Sequence, residues 1–219
     1  MQTTTRARDK AKITPSRSAR SGRSGRSTWE IAELYPPQGA WCEDEYLALE
    51  TNRRIELSDG YVEFLSGPSI PHELIVAFLY HALLNFARAR KLGVVFFAGA
   101  RVRLWKDTIR VPDIVFVSNE HREKITRPFC ETADLVMEVV SESREDRKRD
   151  LILKKAEYAK AGISEYWIVD PELRQITVFK LEGKAYAVHG KFKTGRKADS
   201  EILKGFSVDV KAALAGLQQ

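Results

Sequence analysis

The chain of 219 residues has two cysteines, Cys42 and Cys130, far apart and with no ligand residues at metal-binding spacing around them. That excludes a disulfide framework and a zinc-finger motif, and the expected compartment is a reducing cytoplasm. Long apolar runs are missing too. The most apolar stretch, beginning at Leu74, is interrupted by His81 and Asn85, so no membrane span is expected. No hydrophobic signal segment opens the chain, and no internal repeat is visible. Excess charge is also missing from most of the sequence. The formal net charge is +6, yet residues 1–28 hold eight basic residues against one acid. The tail therefore carries +7 and the rest −1, so a nucleic-acid reading cannot rest on overall charge.

What is present is an ordinary globular composition, 43% hydrophobic and 30% charged, which suits a single domain over 29–219 with a sizeable core. Residues 1–28 are rich in Ser, Thr, Arg and Gly and hold Ile13 as their one large apolar residue after Met1. The segment is expected to be a disordered basic tail. It reads either as an arm that neutralises phosphates or as a passive extension or processed leader.

Along the domain, residues 42–50 (CEDEYLALE) predict a short helix with acids in its first turn. RRIELSDGYVEFLSG predicts a hairpin turning at Ser58, Asp59 and Gly60. With Ile55 and Leu57 on one face, Glu56 lies on the other, toward the central acids discussed below. Pro71 opens a long helix over 71–91, where Leu74, Ile75, Phe78, Leu79, Ala82, Leu83 and Phe86 recur at helical spacing and Gly93 marks the end. His72 stands at the start of its inward face, as a structural hydrogen bonder or as a site residue. Strands are predicted over 94–98, 101–105 and 109–118, then a polar exposed loop over 118–132. Pro112 cannot donate to a ladder, which places it at a strand entry or bulge and Asp113 near a sheet rim. After the strand containing Glu138, a helix over 146–161, capped by Gly162, carries Asp150, Lys154 and Tyr158 on one face. A strand through EYWIVD, a hairpin across Glu182-Gly183, and a last strand and helix over 205–217 complete the domain.

Two acids stand out because apolar packing does not account for them. In DLVMEVV, Leu135, Met137 and Val139 face one way, and Val136, Glu138 and Val140 the other. Glu138 thus sits among valines in a central strand, where an unpaired carboxylate is costly. Asp113 stands in the same relation to Val111, Val115 and Val117. A divalent cation between them, Mg2+ or Mn2+, is the simplest resolution, because paired carboxylates suit such hard ions. Ion pairs with Arg or Lys, or positions at solvated strand ends, are the competing explanation.

The ordered set of Glu138-Val139-Val140-Ser141, then Asp150, Lys154 and Tyr158 at four-residue spacing, then EYWIVDP, joins the ELSDG hairpin, His72 and Pro112-Asp113. This set resembles the Uma-two family of endonucleases, in the PD-(D/E)XK restriction-endonuclease-like superfamily, over roughly residues 40–212. The resemblance implies an α/β (α+β) fold with a central mixed β-sheet, flanking helices and β-hairpin additions. It implies a metal-dependent DNA endonuclease whose metal is held by Asp113, Glu138 and the backbone carbonyl of Val139. The superfamily's usual lysine position, two residues after Glu138, is Val140 here, so the resemblance assigns the catalytic lysine to Lys154. Glu56 or His72 would supply a further site residue. Lys155 points about 100° away from Lys154 on a helix and reads as a surface residue. DNA is the implied partner, and a homodimer would provide the two sites needed to cut both strands. The alternatives are a catalytically inactive nuclease fold that grips nucleic acid or a protein, and a metal-free two-carboxylate hydrolase of the glycosidase kind. The placement of acid, acid and lysine on strand, strand and helix argues against the last.

Overall fold

The computed structural model describes residues 35–51, 53–97, 99–141 and 147–215, and the tail over 1–28 lies outside them. Residues 37–219 cluster as one unit. Its elements run α1 (Glu43–Leu47), β1 (Ile55–Ser58), β2 (Tyr61–Phe64), α2 (Ile70–Arg90), β3 (Gly93–Phe97), β4 (Val102–Trp105), β5 (Thr108–Arg110) and β6 (Ile114–Ser118). A 3-10 stretch (Asn119–Lys124) leads to β7 (Leu135–Val139), and π-helical turns (Arg149–Lys154) run directly into α3 (Lys155–Lys160). Then come β8 (Glu165–Asp170), β9 (Gln175–Glu182), β10 (Ala185–Lys193), β11 (Lys197–Asp199), β12 (Ser207–Asp209) and α4 (Val210–Ala213).

The expected central mixed sheet is present, with six strands in the order β10-β9-β8-β7-β6-β3. β7 pairs antiparallel with β6 and parallel with β8. The parallel step needs a crossover, which the π-helical turns and α3 provide. Both faces of β7 are covered, and all five of its residues are buried, as a strand inside a two-sided sheet should be. On one face, Leu135, Met137 and Val139 join Phe116 and Trp167 under Ile75, Leu79 and Leu83 of α2. On the other, Val136 and Val140 join Val115, Val117, Tyr158 and Tyr166. A four-stranded sheet, β2-β1-β5-β4, has its own small core of Trp41, Tyr46, Ile55, Leu57, Val62 and Ile109.

The single strand expected over 109–118 is two. Pro112 has no N–H to give and the ladder breaks at Val111–Asp113, so β5 enters the small sheet and β6 the large one. The chain thus crosses between sheets just before Asp113. The helix expected from Pro71 forms, but its buried face is Ile75, Val76, Leu79, Leu83 and Ala87, while Leu74 and Phe78 are exposed. The 21-residue helix carries apolar residues along both stripes, and packing on the sheet selects one. The helix ends at Lys91, which takes the left-handed conformation (φ 53°) in place of the expected glycine. Gly93 serves another purpose: a Cβ there would overlap the Val117 carbonyl where β3 crosses β6. The expected polar loop over 118–132 is exposed along most of its length; it holds the 3-10 stretch and docks through buried Cys130, whose N–H and C=O bond Arg101 and Arg103 at the β4 edge. Strand β11 was not anticipated. Among described helices α2 alone is long and apolar enough to cross a bilayer, with 33% of its most apolar stretch buried.

Candidate active site

Asp113 heads β6 and is 5% exposed. Its Oδ1 lies 3.1 Å from Arg54 Nη2, and its Oδ2 lies 3.2 Å from His72 Nε2 and accepts from the Val139 N–H at 2.9 Å. Burial works to raise the carboxyl's pKa, but the hydrogen bond and charge of His72, with Arg54 and the Val139 N–H, hold it below its ordinary value. His72 in turn is depressed by burial and raised more by Asp113, for a net rise. Ser69 caps α2, accepting from the His72 N–H, and so fixes the ring beside Asp113.

Glu138, one position before the end of β7, is 3% exposed. Its Oε1 accepts from Lys154 Nζ at 3.0 Å and from Tyr158 OH at 2.7 Å. Burial raises its pKa to about 7; the nearby charges of Asp113, Asp150 and Glu56 add to this, against the pull of Lys154. Lys154 is 2% exposed and also lies 3.1 Å from Glu56 Oε1 and 3.6 Å from Asp150 Oδ1. Burial opposes its charge, yet Glu138, Glu56 and Asp150 together raise its pKa. It is therefore a fixed ammonium at neutral pH. Burial likewise works against ionised Glu56, but Lys154, Arg110 and the Val111 N–H hold it down at about 2. The helix carrying Lys154 is π-wound from Arg149 to Lys154, a distortion often found at functional sites.

The structure thus brings Asp113, Glu138, Lys154, Glu56 and His72 into one cluster, each through a different element. Lys155 does not join it; it is half-buried rather than a plain surface residue, its Nζ 4.1 Å over the ring of buried Phe179 of β9. Both acids have cationic partners, Arg54 and His72 for Asp113 and Lys154 for Glu138, so ion pairing accounts for part of their burial. Sequence reasoning missed Arg110, which is fully buried in β5. Its Nε and Nη2 each donate to Glu157 at 2.8 Å, its Nη1 to Glu56 Oε2 at 2.9 Å, and its Nη2 to Ser58 at 3.0 Å. It also missed Arg54 as a partner of Asp113, although the alternation that aimed Glu56 inward aimed Arg54 the same way.

A cavity of about 30 Å³ opens among Asp113, Glu138, Val139, Asp150, Lys154 and Arg54. It exceeds the roughly 10–15 Å³ that one water or small ion needs. Its carboxylates suit a hard divalent cation, and a positive charge there would offset the burial, and the neighbouring negative charge, that raise Glu138. Among the described residues no group of three or more acids, histidines or cysteines is arranged to hold a metal. The fit is therefore to two carboxylates with a backbone oxygen and solvent, as Mg2+ commonly accepts, and not to a protein-only cage. A larger cavity of about 390 Å³ adjoins it through His72 and Ser141, lined also by Pro71, Arg147 and Pro171.

Comparison with known proteins agrees with this architecture. A solved structure of a nuclease described as putative, belonging to DUF820, from Anabaena variabilis ATCC 29413, matches over 83% of this chain and 99% of its own. The TM-score is 0.67 at 17% identity. The type IIG restriction endonuclease BpuSI matches over 70% of this chain and 17% of its own, at 18% identity and a TM-score of 0.36, too loosely to carry an argument. No curated protein matches the chain. The expected restriction-endonuclease-like fold stands. The model of the Uma2 family, "Putative restriction endonuclease", matches residues 43–211, most of the chain, and the chain belongs to that family.

Proposed function

We propose that this protein is a divalent-metal-dependent endonuclease that hydrolyses phosphodiester bonds in DNA. The observation that carries the reading is that Asp113, Glu138 and Lys154, from two strands and a helix, line one small cavity. Family membership supports a nuclease role, and DNA is the substrate class a restriction endonuclease implies. Asp113 and Glu138 would hold Mg2+ or Mn2+, with the Val139 carbonyl as a third donor. Such an ion supplies Lewis acidity at the phosphate and a more acidic bound water.

The remaining work falls to the chain. Phosphodiester hydrolysis concentrates negative charge on the phosphoryl oxygens, and Lys154 is a charged group already desolvated and held in place by Glu56, Glu138 and Asp150. It can offset that charge without reorganising. It cannot take a proton from water, because its three acidic partners keep it protonated. His72 and Arg54 hold Asp113 ionised and oriented. Arg110 holds Glu56 and Glu157 and, through them, the helix that carries Lys154. Cutting both strands would call for two copies acting together.

The test is cleavage of plasmid and labelled oligonucleotides with Mg2+ or Mn2+ and with EDTA. Metal-dependent nicking or linearisation is expected. Tight Mn2+ binding with no cleavage of single- or double-stranded DNA would leave a silent nuclease fold that only binds.

A further inference from the structure

We infer that Asp150 is a catalytic residue of this site, its Oδ1 accepting a hydrogen bond from the water that attacks phosphorus. The inference rests on the nuclease reading above and assigns a chemical role to a residue that reading uses only as a counter-charge for Lys154. Asp150 is 4% exposed, and its Oδ1 has no hydrogen-bond partner among the described residues. Its neighbours stop short: Lys154 Nζ is 3.6 Å away and Arg149 Nε 3.7 Å, beyond hydrogen-bond reach. A buried carboxylate oxygen left in that state is costly and calls for an explanation.

Its surroundings supply one. Asp150 lines the same small cavity as Asp113, Glu138 and Lys154, which has room for a water molecule and polar groups to hold it. Tyr166 OH donates to its backbone carbonyl at 3.0 Å and so fixes the main chain of the π-wound turn there. Of the other acceptors, Glu138 Oε1 is taken by Lys154 and Tyr158, both Glu56 oxygens by Lys154, Val111 and Arg110, and both Asp113 oxygens by Arg54, His72 and Val139. Lys154 is an ammonium and can only donate. Among the described residues, Asp150 Oδ1 is the carboxylate oxygen of this wall that is fully buried and has no hydrogen bond. In the step it serves, the water oxygen bonds to phosphorus while the bond from phosphorus to the leaving sugar oxygen breaks with its electron pair. The attacking water passes one proton to Asp150 Oδ1, which releases it to solvent, and the leaving oxygen takes one from solvent, so the balance is the addition of one water. Asp150 aims the attacking lone pair by holding one water hydrogen.

The experiment compares the parent with Asp150→Asn and Asp150→Ala on a duplex oligonucleotide under single-turnover conditions with saturating Mn2+. Mn2+ affinity, DNA affinity in Ca2+ and thermal midpoint are measured alongside. The expected result for Asp150→Asn is a rate loss of about 100-fold or more, the scale of a removed proton-handling group, with both affinities within about twofold of the parent. Formate should restore part of the rate to Asp150→Ala and none to Lys154→Ala. Parental rates in Asp150→Asn would overturn the inference and leave the nuclease reading standing. Lost Mn2+ binding in Asp150→Asn would make Asp150 a metal ligand and also overturn it. If Asp150→Asn does not fold, formate rescue of Asp150→Ala decides. A parent that cuts nothing overturns both readings.

Discussion

Lys154 Nζ lies 3.0 Å from Glu138 Oε1, joining residues 16 apart in sequence across the floor of the cavity. The contact sits where a lysine on this helix has to reach if it is to act at the proposed metal site beside β7. Lys154→Ala is expected to abolish cleavage while Mn2+ binding by Asp113 and Glu138 persists. It should also lower stability, because three buried carboxylates lose their counter-charge. Lys155→Ala should cut at the parental rate, losing only a cation–π contact worth about 1 kcal/mol or less. Parallel cleavage, Mn2+ titration and thermal melts of the two variants check this. Parental cutting by Lys154→Ala would remove the lysine from the mechanism.

The two acids should respond to pH in opposite senses. Asp113 is held below its ordinary value, so its ionised form stabilises the fold above that value, and the contribution is lost as pH falls through the depressed pKa. Asp113→Asn should therefore melt lower than the parent at pH 7, with the gap closing in acid. Glu138 is raised from 4.5 to about 7. Between those values the native state holds a proton the unfolded chain has lost, so stability falls as pH rises across that window. Glu138→Gln should gain on the parent from pH 5 to pH 8. Melts of both variants at pH 4, 5, 7 and 8 measure the two gaps, and curves of the same sign would contradict the assignment. Simple crowding of two carboxylates would have made both variants stabilising; His72 and Arg54 are why Asp113 is not.

Metal binding should release a proton near neutrality. An ion held by Glu138 needs the carboxylate, which is half protonated at about pH 7, so Mn2+ affinity should climb between pH 6 and 8. Calorimetry in buffers of different ionisation enthalpy reads the release directly. Affinity independent of pH over that range would mean that Glu138 is not a ligand.

How much of this was legible in the sequence depended on what kind of pattern each residue makes. β7 was legible because five apolar-flanked positions alternate, and the alternation put Glu138 with Val136 and Val140 before any fold was known. Asp113 was legible through Pro112, which had to interrupt a ladder. Lys154 came through the ordered family motif. Arg110 was not legible: a strand of three residues, all buried, shows no period, so a core arginine looks like a surface one. The buried stripe of α2 was misassigned by one position because Leu74 and Phe78 are as apolar as the residues the sheet selects. Asp150 was seen on the right helix face, but whether an acid there finds a partner depends on side-chain reach across three elements.

The basic tail lies outside the described residues, yet its composition makes a separable claim. Deleting residues 1–28 removes a net +7 and should weaken non-specific DNA binding and flatten its salt dependence. The cleavage step at saturating DNA should survive. Equal affinity of both forms at low salt would show that the tail is no phosphate-binding arm.

Arg110 offers the sharpest test of how the small sheet supports the site. It is fully buried with bonds to Glu56 on β1, Glu157 on α3 and Ser58 at the hairpin turn. Burial works against its charge, but Glu157 and Glu56 raise its pKa overall. Arg110→Met keeps much of the volume and removes the charge, leaving Glu157 and the Oε2 of Glu56 without their main donor. Breaking one side of a buried charge network costs about 3–5 kcal/mol, which urea unfolding would read as a lower midpoint. Lys154 should still find Glu138, so metal binding in the folded variant should hold. Cleavage should drop, because Glu56 and the helix bearing Lys154 lose their shared anchor. Adding Glu157→Gln to Arg110→Met removes the second stranded charge and should recover part of the lost stability. A double variant as unstable as the sum of the two single changes would mean that the pair is not coupled, and that Arg110 matters for its volume alone.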